Sequence, residues 1–243
     1  MGKVAEELRS FFEPSSIAVV GASRHVNKAG HVIFKNLLSS KVKVYPVNPK
    51  AKNVLGVKCY KSIIELKGKV SHAVIAVPSV IVPQVVEECG IAGVKTLIII
   101  SAGFSESGNK DLENKIVSIA KSHGMRLLGP NVLGLIVPDE FNASFFTGRI
   151  NSGHISFISQ SGALGVGVLD SFSSEGWGLR CFISVGNTSD ITITDALNEV
   201  LSDEKTKCII IYAESLKDGK GFMKACLNSN KPVFILKAGT SRA

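Results

Sequence analysis

The chain has 243 residues, 45% of them hydrophobic and 20% charged, with a formal net charge of +8. That length can carry one large or two ordinary α/β domains, each with its own core, and the composition excludes a disordered chain and, lacking a long apolar run, a membrane-spanning one. The positive balance asks for an anionic partner; the lysines are spread without an aromatic-basic recognition motif, and a polyphosphate small molecule explains the charge as well as nucleic acid does, so nucleic acid is not named as the partner.

The opening "MGKVAEELRSFFEPS" is amphipathic, with no apolar signal core, and implies a cytoplasmic protein. "SIAVVGAS", Ser16 to Ser23, reads as a buried strand ending in a glycine turn, and "GHVIFKNLLSS" then shows helical spacing in Val32, Ile33, Leu37 and Leu38. A second strand, "KVKVYPVNPK", is broken at its end by Pro46 and Pro49. "HAVIAVPS" is a third strand, followed by a helix that Gly93 closes; "KTLIIISAGF" is a fourth, followed by a helix around "DLENKIVSIAKSHG"; "RLLGPNVLG" is a short fifth. Alternating strands and helices, with strands apolar on both faces, predict a parallel sheet covered on both sides.

Pro, Asn, Ser and Gly cluster in "PDEFNASFFTGRINSG", and the alternation then restarts: strand "HISFIS", helix from Gly162, strand "LRCFISVG", helix "TDALNEVLS", strand "CIIIYAES", helix "GKGFMKACLNS" and strand "PVFILKAG". Two doubly wound domains are therefore expected, residues 1–148 and 149–243. The five cysteines are scattered, with no C-x-x-C pair; neither a zinc site nor a disulfide frame is read, and no metal site is expected.

Ligands of open α/β sheets bind beyond the carboxyl ends of the strands. Those positions hold Gly21, Ala22, Ser23 and Arg24, with Lys28 a turn later; then Val47, Asn48, Pro49 and Lys50; then Val77 and Pro78; then Ser101, Ala102 and Gly103. Small residues admit a phosphate to the backbone, and a helix N-terminus offers N–H groups to it. The G-x-G-x-x-G fingerprint is absent, and Asn48 and Lys50 stand where NAD binders carry an acid. A lysine there suits a phosphorylated ribose, which favours coenzyme A or NADP over NAD.

In the second half, Ser161 is no esterase nucleophile: the flanking elbow positions are Ser159 and Ala163 rather than glycines, and no histidine follows His154 to complete a triad. Ser159, Gln160, Ser161 and Gly162 read instead as a strand-to-helix anion turn, or as an ordinary serine N-cap.

"FFEPSSIAVVGAS", "YPVNPK", "AVIAVPS", "ISAGFSE" and "GPNVLG", continued by "ISFISQSGAL", "SVGNTSDI", "YAES" and "KPVFILKAG", resemble the NDP-forming acyl-CoA synthetases, the superfamily of succinyl-CoA synthetase and ADP-forming acetate–CoA ligase. The resemblance implies a Rossmann-like CoA-binding domain followed by a flavodoxin-like, succinyl-CoA ligase-like domain. It implies coenzyme A on the strand-end residues above and on Asn131, and phosphate or a phosphohistidine loop on Ser159 to Gly162, Gly186 and Asn187, with Glu214 orienting the histidine. It further implies a small acid or acyl-CoA as substrate, an ATP-grasp β-type partner that alone holds ATP or ADP with Mg, and an oligomer. The family's histidine follows the "LKAG" strand in a loop that this sequence does not contain, so the chain is expected to hold the cradle without its nucleophile, as a catalytic fragment or as a non-catalytic CoA-binding module.

Overall fold

A computed structural model describes residues 10–239; the amphipathic opening up to Arg9 and the last four residues lie outside the described residues. The first unit runs β1 (Ser16–Val20), α1 (Ala29–Leu38), β2 (Lys43–Val47), a small hairpin of β3 (Asn53–Val54) and β4 (Val57–Lys58), β5 (His72–Ile75), α2 (Val82–Ala92), β6 (Thr96–Ile99), α3 (Lys110–Ser122) and β7 (Arg126–Leu128). Its five-stranded sheet has the order β2-β1-β5-β6-β7, parallel throughout. β1 shows why: Ile17 and Val19 enter one core, while Ala18 and Val20 enter the core on the opposite face. A strand apolar on both faces belongs in a sheet with helices on both sides. α2 carries Pro83 in its first turn and stops at Gly93, whose φ of 85° gives the left-handed cap.

The second unit comprises β8 (Gly134–Val137), β9 (Phe141–Ser144), β10 (Asn151–Ser159), α4 (Gly162–Ser174), β11 (Gly178–Ser184), α5 (Ile193–Ser202), β12 (Cys208–Ala213), α6 (Gly219–Leu227) and β13 (Val233–Lys237). Its order is β13-β12-β10-β11-β8-β9. β10 to β13 are parallel, whereas β8 runs antiparallel to β11 and pairs Ile136 with Phe182 and Leu135 with Ile183. Composition marks a seam over residues 138–153 and assigns no strand to 135–137; the structure makes 134–144 a hairpin, because Leu135, Ile136 and Val137 are all buried and Asp139 turns the chain at φ 67°. The chain thus enters the second sheet at Gly134, ahead of the seam at 149. At the opposite edge, Phe234, Ile235 and Leu236 of β13 are exposed.

The units are packed on each other. One cluster of buried side chains runs from Ile33 and Leu37 of α1 through Val137 and Phe141 of the hairpin to Ile158 and Ile209. Asn36 of α1 donates through Nδ2 to the carbonyls of Ser144 at 2.9 Å and Phe146 at 2.8 Å.

Candidate functional site

In the first sheet the strand order reverses between β1 and β5, so the loops that follow them part to form a crevice. Gly21 makes the turn with φ 95°, and a Cβ there would meet the Ala76 carbonyl at 2.3 Å. Gly30, in the first turn of α1, lies so close beneath that its Cβ would sit 2.0 Å from Gly21 O. These two glycines supply the tight turn and the close helix approach that the missing fingerprint would have supplied. α1 begins after Lys28 with no side-chain cap; the Lys28 carbonyl accepts from His31 N and Val32 N, so the N–H groups of Ala29 and Gly30 are those the helix start can offer an anion. Arg24 and Lys28 are exposed beside them.

The other candidate residues divide into two kinds. Asn48 donates to Ala22 O at 2.8 Å and accepts from Lys50 N at 2.8 Å; its amide ties the glycine turn to the end of β2. Ser101 likewise donates to Val77 O at 2.5 Å, joining two strand ends. Lys50 and Pro49 are exposed at the crevice rim, and Val77 and Pro78 line its other side. His31, which no motif marks, steadies the turn: its Nδ1 donates to Ser23 O at 2.8 Å, because a carbonyl can only accept.

The second sheet reverses its order between β10 and β12, and the Ser159–Gly162 turn and Glu214 sit at that point. Ser161 caps α4, its Oγ accepting from Leu164 N at 3.3 Å, and Ser159 Oγ donates to Ser161 O at 2.7 Å. The Ser159 hydroxyl proton is therefore spent inside the turn, while Ser161 accepts there and keeps its proton to donate; what α4 offers an anion is that O–H, its leading N–H groups and its dipole. The Gln160 side chain is engaged as well. Its Oε1 accepts from the N–H groups of Glu214 at 2.9 Å and Ser215 at 3.0 Å, and Nε2 donates to Ser215 Oγ at 3.0 Å. Glu214 keeps an exposed carboxylate, and its carbonyl accepts from Lys237 Nζ at 2.8 Å.

The two carboxyl edges meet where the loop after β11 touches the loops after β6 and β7. Gly186 (φ 51°) approaches so closely that a Cβ would lie 2.3 Å from Pro130 O and 2.5 Å from Asn131 O. Asn187 N donates to Pro130 O, Ser189 N to Gly129 O and Ile191 N to Leu127 O. Asp190 accepts from Arg126 Nε at 3.0 Å and from Leu127 N at 2.8 Å. The Asn187 amide points away from the anion turn, to Glu106 and Glu113. Among the described residues no helix is long and apolar enough to cross a membrane, and no cluster of three or more His, Cys, Asp or Glu could hold a metal.

Fold and crevices together define a two-unit, doubly wound α/β protein of the nucleotide-cleft class. The coenzyme A binding domain profile matches residues 15–138, and that of the succinyl-CoA ligase like flavodoxin domain matches residues 152–243; the chain belongs to the NDP-forming acyl-CoA synthetase superfamily. It is 44% identical over 236 residues to the ADP-forming acetate–CoA ligase of Methanocaldococcus jannaschii, covering 96% of this chain and 33% of that one. It is 42% identical over 245 residues to the α subunit of ADP-forming acetate–CoA ligase I of Pyrococcus furiosus, covering 96% of this chain and 53% of that one. The dinucleotide-forming acetyl-coenzyme A synthetase 1 of Candidatus Korarchaeum cryptofilum, solved with phosphate and ADP, superposes with a TM-score of 0.91 at 42% identity, over 96% of this chain and 52% of that one. The chain therefore spans between a third and about half of the relatives it matches.

Proposed function

We propose that this chain is the CoA-binding, α-type portion of an ADP-forming acyl-CoA synthetase, inactive without its remaining parts. The overall reaction interconverts acyl-CoA, ADP and phosphate with acid, CoA and ATP. The thioester carbon is attacked by a phosphate oxygen and the thiolate leaves, giving an acyl phosphate; a histidine then takes the phosphoryl group as the carboxylate leaves, and passes it to ADP with Mg on an ATP-grasp partner. The observation that carries this reading is the pair of switch points, each with a small-residue turn leading into a helix, on units joined at their carboxyl edges.

In this proposal Gly21 to Ser23, Arg24, Lys28 and the uncapped start of α1 hold the diphosphate, and Lys50 meets the 3′-phosphate of the ribose. Val77, Pro78, Ala102, Gly103 and Asn131 guide the pantetheine arm toward the second sheet. There the N-terminus of α4, from Ser159 to Gly162, stabilises a phosphoryl group by a fixed dipole and N–H donors. Glu214, exposed at the same crevice, is placed to hold an incoming imidazole in one tautomer. Phosphate is the compact anion of that turn, and the site for a small acid lies between the two crevices.

The test is calorimetry with CoA and dephospho-CoA on the wild-type chain and on Lys50→Gln. The expected result is tight binding of CoA, weakened about 10-fold or more without the 3′-phosphate, with that preference lost in the variant. Equal and negligible binding of both ligands would sink the proposal. A non-catalytic CoA-binding module is the second reading; among the described residues His31, His72, His123 and His154 are bonded to protein groups, and His25 lies in the loop after β1. Acyl-CoA-dependent ATP formation on adding an ATP-grasp subunit and the histidine-bearing segment supports the enzyme; CoA binding without it supports the module.

A further inference from the structure

Asn187 joins the two units through its side chain. Its Nδ2 lies 2.6 Å from Glu106 Oε2, 2.7 Å from Glu113 Oε2 and 3.1 Å from Ser105 Oγ. An amide nitrogen has two hydrogens, and the two shortest contacts assign them to the carboxylates. Each carboxylate in turn grips the loop after β6. Glu106 Oε1 accepts from Gly103 N at 2.5 Å and Phe104 N at 3.1 Å. Glu113 Oε2 accepts from Ser105 N at 3.2 Å and Ser105 Oγ at 2.7 Å.

On its other side the residue is held by the second unit and by the Asn131 loop. Lys217, three residues beyond Glu214, donates through Nζ to Thr188 O at 2.6 Å and Asn187 O at 3.4 Å. Asn131 Nδ2 approaches Asn187 Oδ1 at 3.4 Å. The charged groups facing Asn187 are thus Glu106, Glu113 and Lys217, with the Arg126–Asp190 pair three residues on.

We propose that Asn187 is a positioning residue that sets the loop after β6 against the anion turn of the second sheet, so that the coenzyme arm and the phosphoryl crevice share one geometry. The proposal rests on the coenzyme reading above. Burial alone would raise the Glu106 and Glu113 carboxyls, but hydrogen bonds, from Asn187 and the loop N–H groups to Glu106 and from Ser105 and Asn187 to Glu113, outweigh it and hold both below the usual carboxylate range. Two ionised carboxylates on one neutral amide make the contact sensitive to the donor and indifferent to bulk.

Asn187→Asp keeps the shape and replaces the donor with a third carboxylate, which repels the other two unless a proton is shared. Asn187→Leu removes the donor at every pH. Calorimetry with CoA at pH 8.0 and pH 5.5, read as the ratio of variant to wild type, is the test. The Asp variant should lose about tenfold in affinity at pH 8.0 and less than about twofold at pH 5.5, while the Leu variant loses equally at both. An Asp deficit that is absent, or equal at the two pH values, overturns the proposal. Should the wild type bind no CoA, the coenzyme reading fails by itself. The junction is then read from thermal unfolding, where the same pH-dependent deficit of Asn187→Asp supports the clamp and its absence overturns it.

Discussion

Gly30→Ala tests the first crevice with a single methyl group. The new Cβ would stand 2.0 Å from Gly21 O, where ordinary contact begins near 3.4 Å, and the atom it meets is backbone. Either α1 or the glycine turn must therefore move by about 1.4 Å. A hydrogen bond of about 2.9 Å from the first turn of α1 to a phosphate oxygen would stretch past 4 Å and be lost. One or two such charge-assisted bonds are worth about 1.5–3 kcal/mol together, so the dissociation constant for CoA should rise about 10- to 100-fold. Stability should change less, because alanine favours the helix by about 1 kcal/mol while overpacking costs about 1–3 kcal/mol. Calorimetry beside a thermal melt separates the two effects. Gly167→Ala in α4 is the control: its Cβ meets nothing within 4 Å, so affinity should hold and stability rise by about 1 kcal/mol. A folded Gly30→Ala that binds CoA within about twofold of wild type would refute the argument that this glycine brings helix and phosphate together.

Two further predictions concern stability. His72 is buried, and desolvation lowers its pKa from the usual 6.5 to about 4, against a smaller opposing effect of its bond to Ser10 O. Folding therefore favours the neutral ring; the contribution is fully present above pH 6.5 and is lost as the pH falls from 6.5 toward 4, at a cost of about 3 kcal/mol. Urea unfolding across that range should show the loss, and His72→Gln should flatten it; an unchanged acid slope in the variant would refute the assignment. Lys231 donates to the carbonyls of Leu201 at 2.6 Å, Asp203 at 2.7 Å and Val200 at 3.3 Å, closing the C-terminus of α5. Lys231→Met should destabilise the chain by about 1–2 kcal/mol, measured by denaturant midpoint, with CoA affinity unchanged.

Hydrophobic period exposed most of this architecture, because strands buried on both faces and helices with one apolar stripe write themselves into residue spacing. It missed the β8–β9 hairpin, where Pro138, Asp139 and Glu140 carry a turn signal strong enough to mask four buried residues before it and three after. Strand-end reasoning named loops that the structure brings to one edge, since a parallel sheet puts every carboxyl end there. It could not orient the side chains in them. Asn48, Gln160 and Asn187 look alike as polar residues after a strand, yet each amide is aimed at protein groups. Their partners in the other two cases lie 54 and 81 residues away, a separation at which spacing carries no information. Glu106, Glu113, Arg126, Asp190 and Lys217 went unmarked for the same reason.

The β8–β9 hairpin also governs how the chain can be cut. A fragment ending at the 148–149 seam would carry Leu135 and Ile136 on a hairpin with no sheet to join. The complementary fragment would present β11 stripped of its partner at Phe182 and Ile183, as a template for intermolecular pairing. The halves are therefore expected to aggregate when expressed apart, to complement one another when refolded together, and to melt as a single cooperative unit when joined.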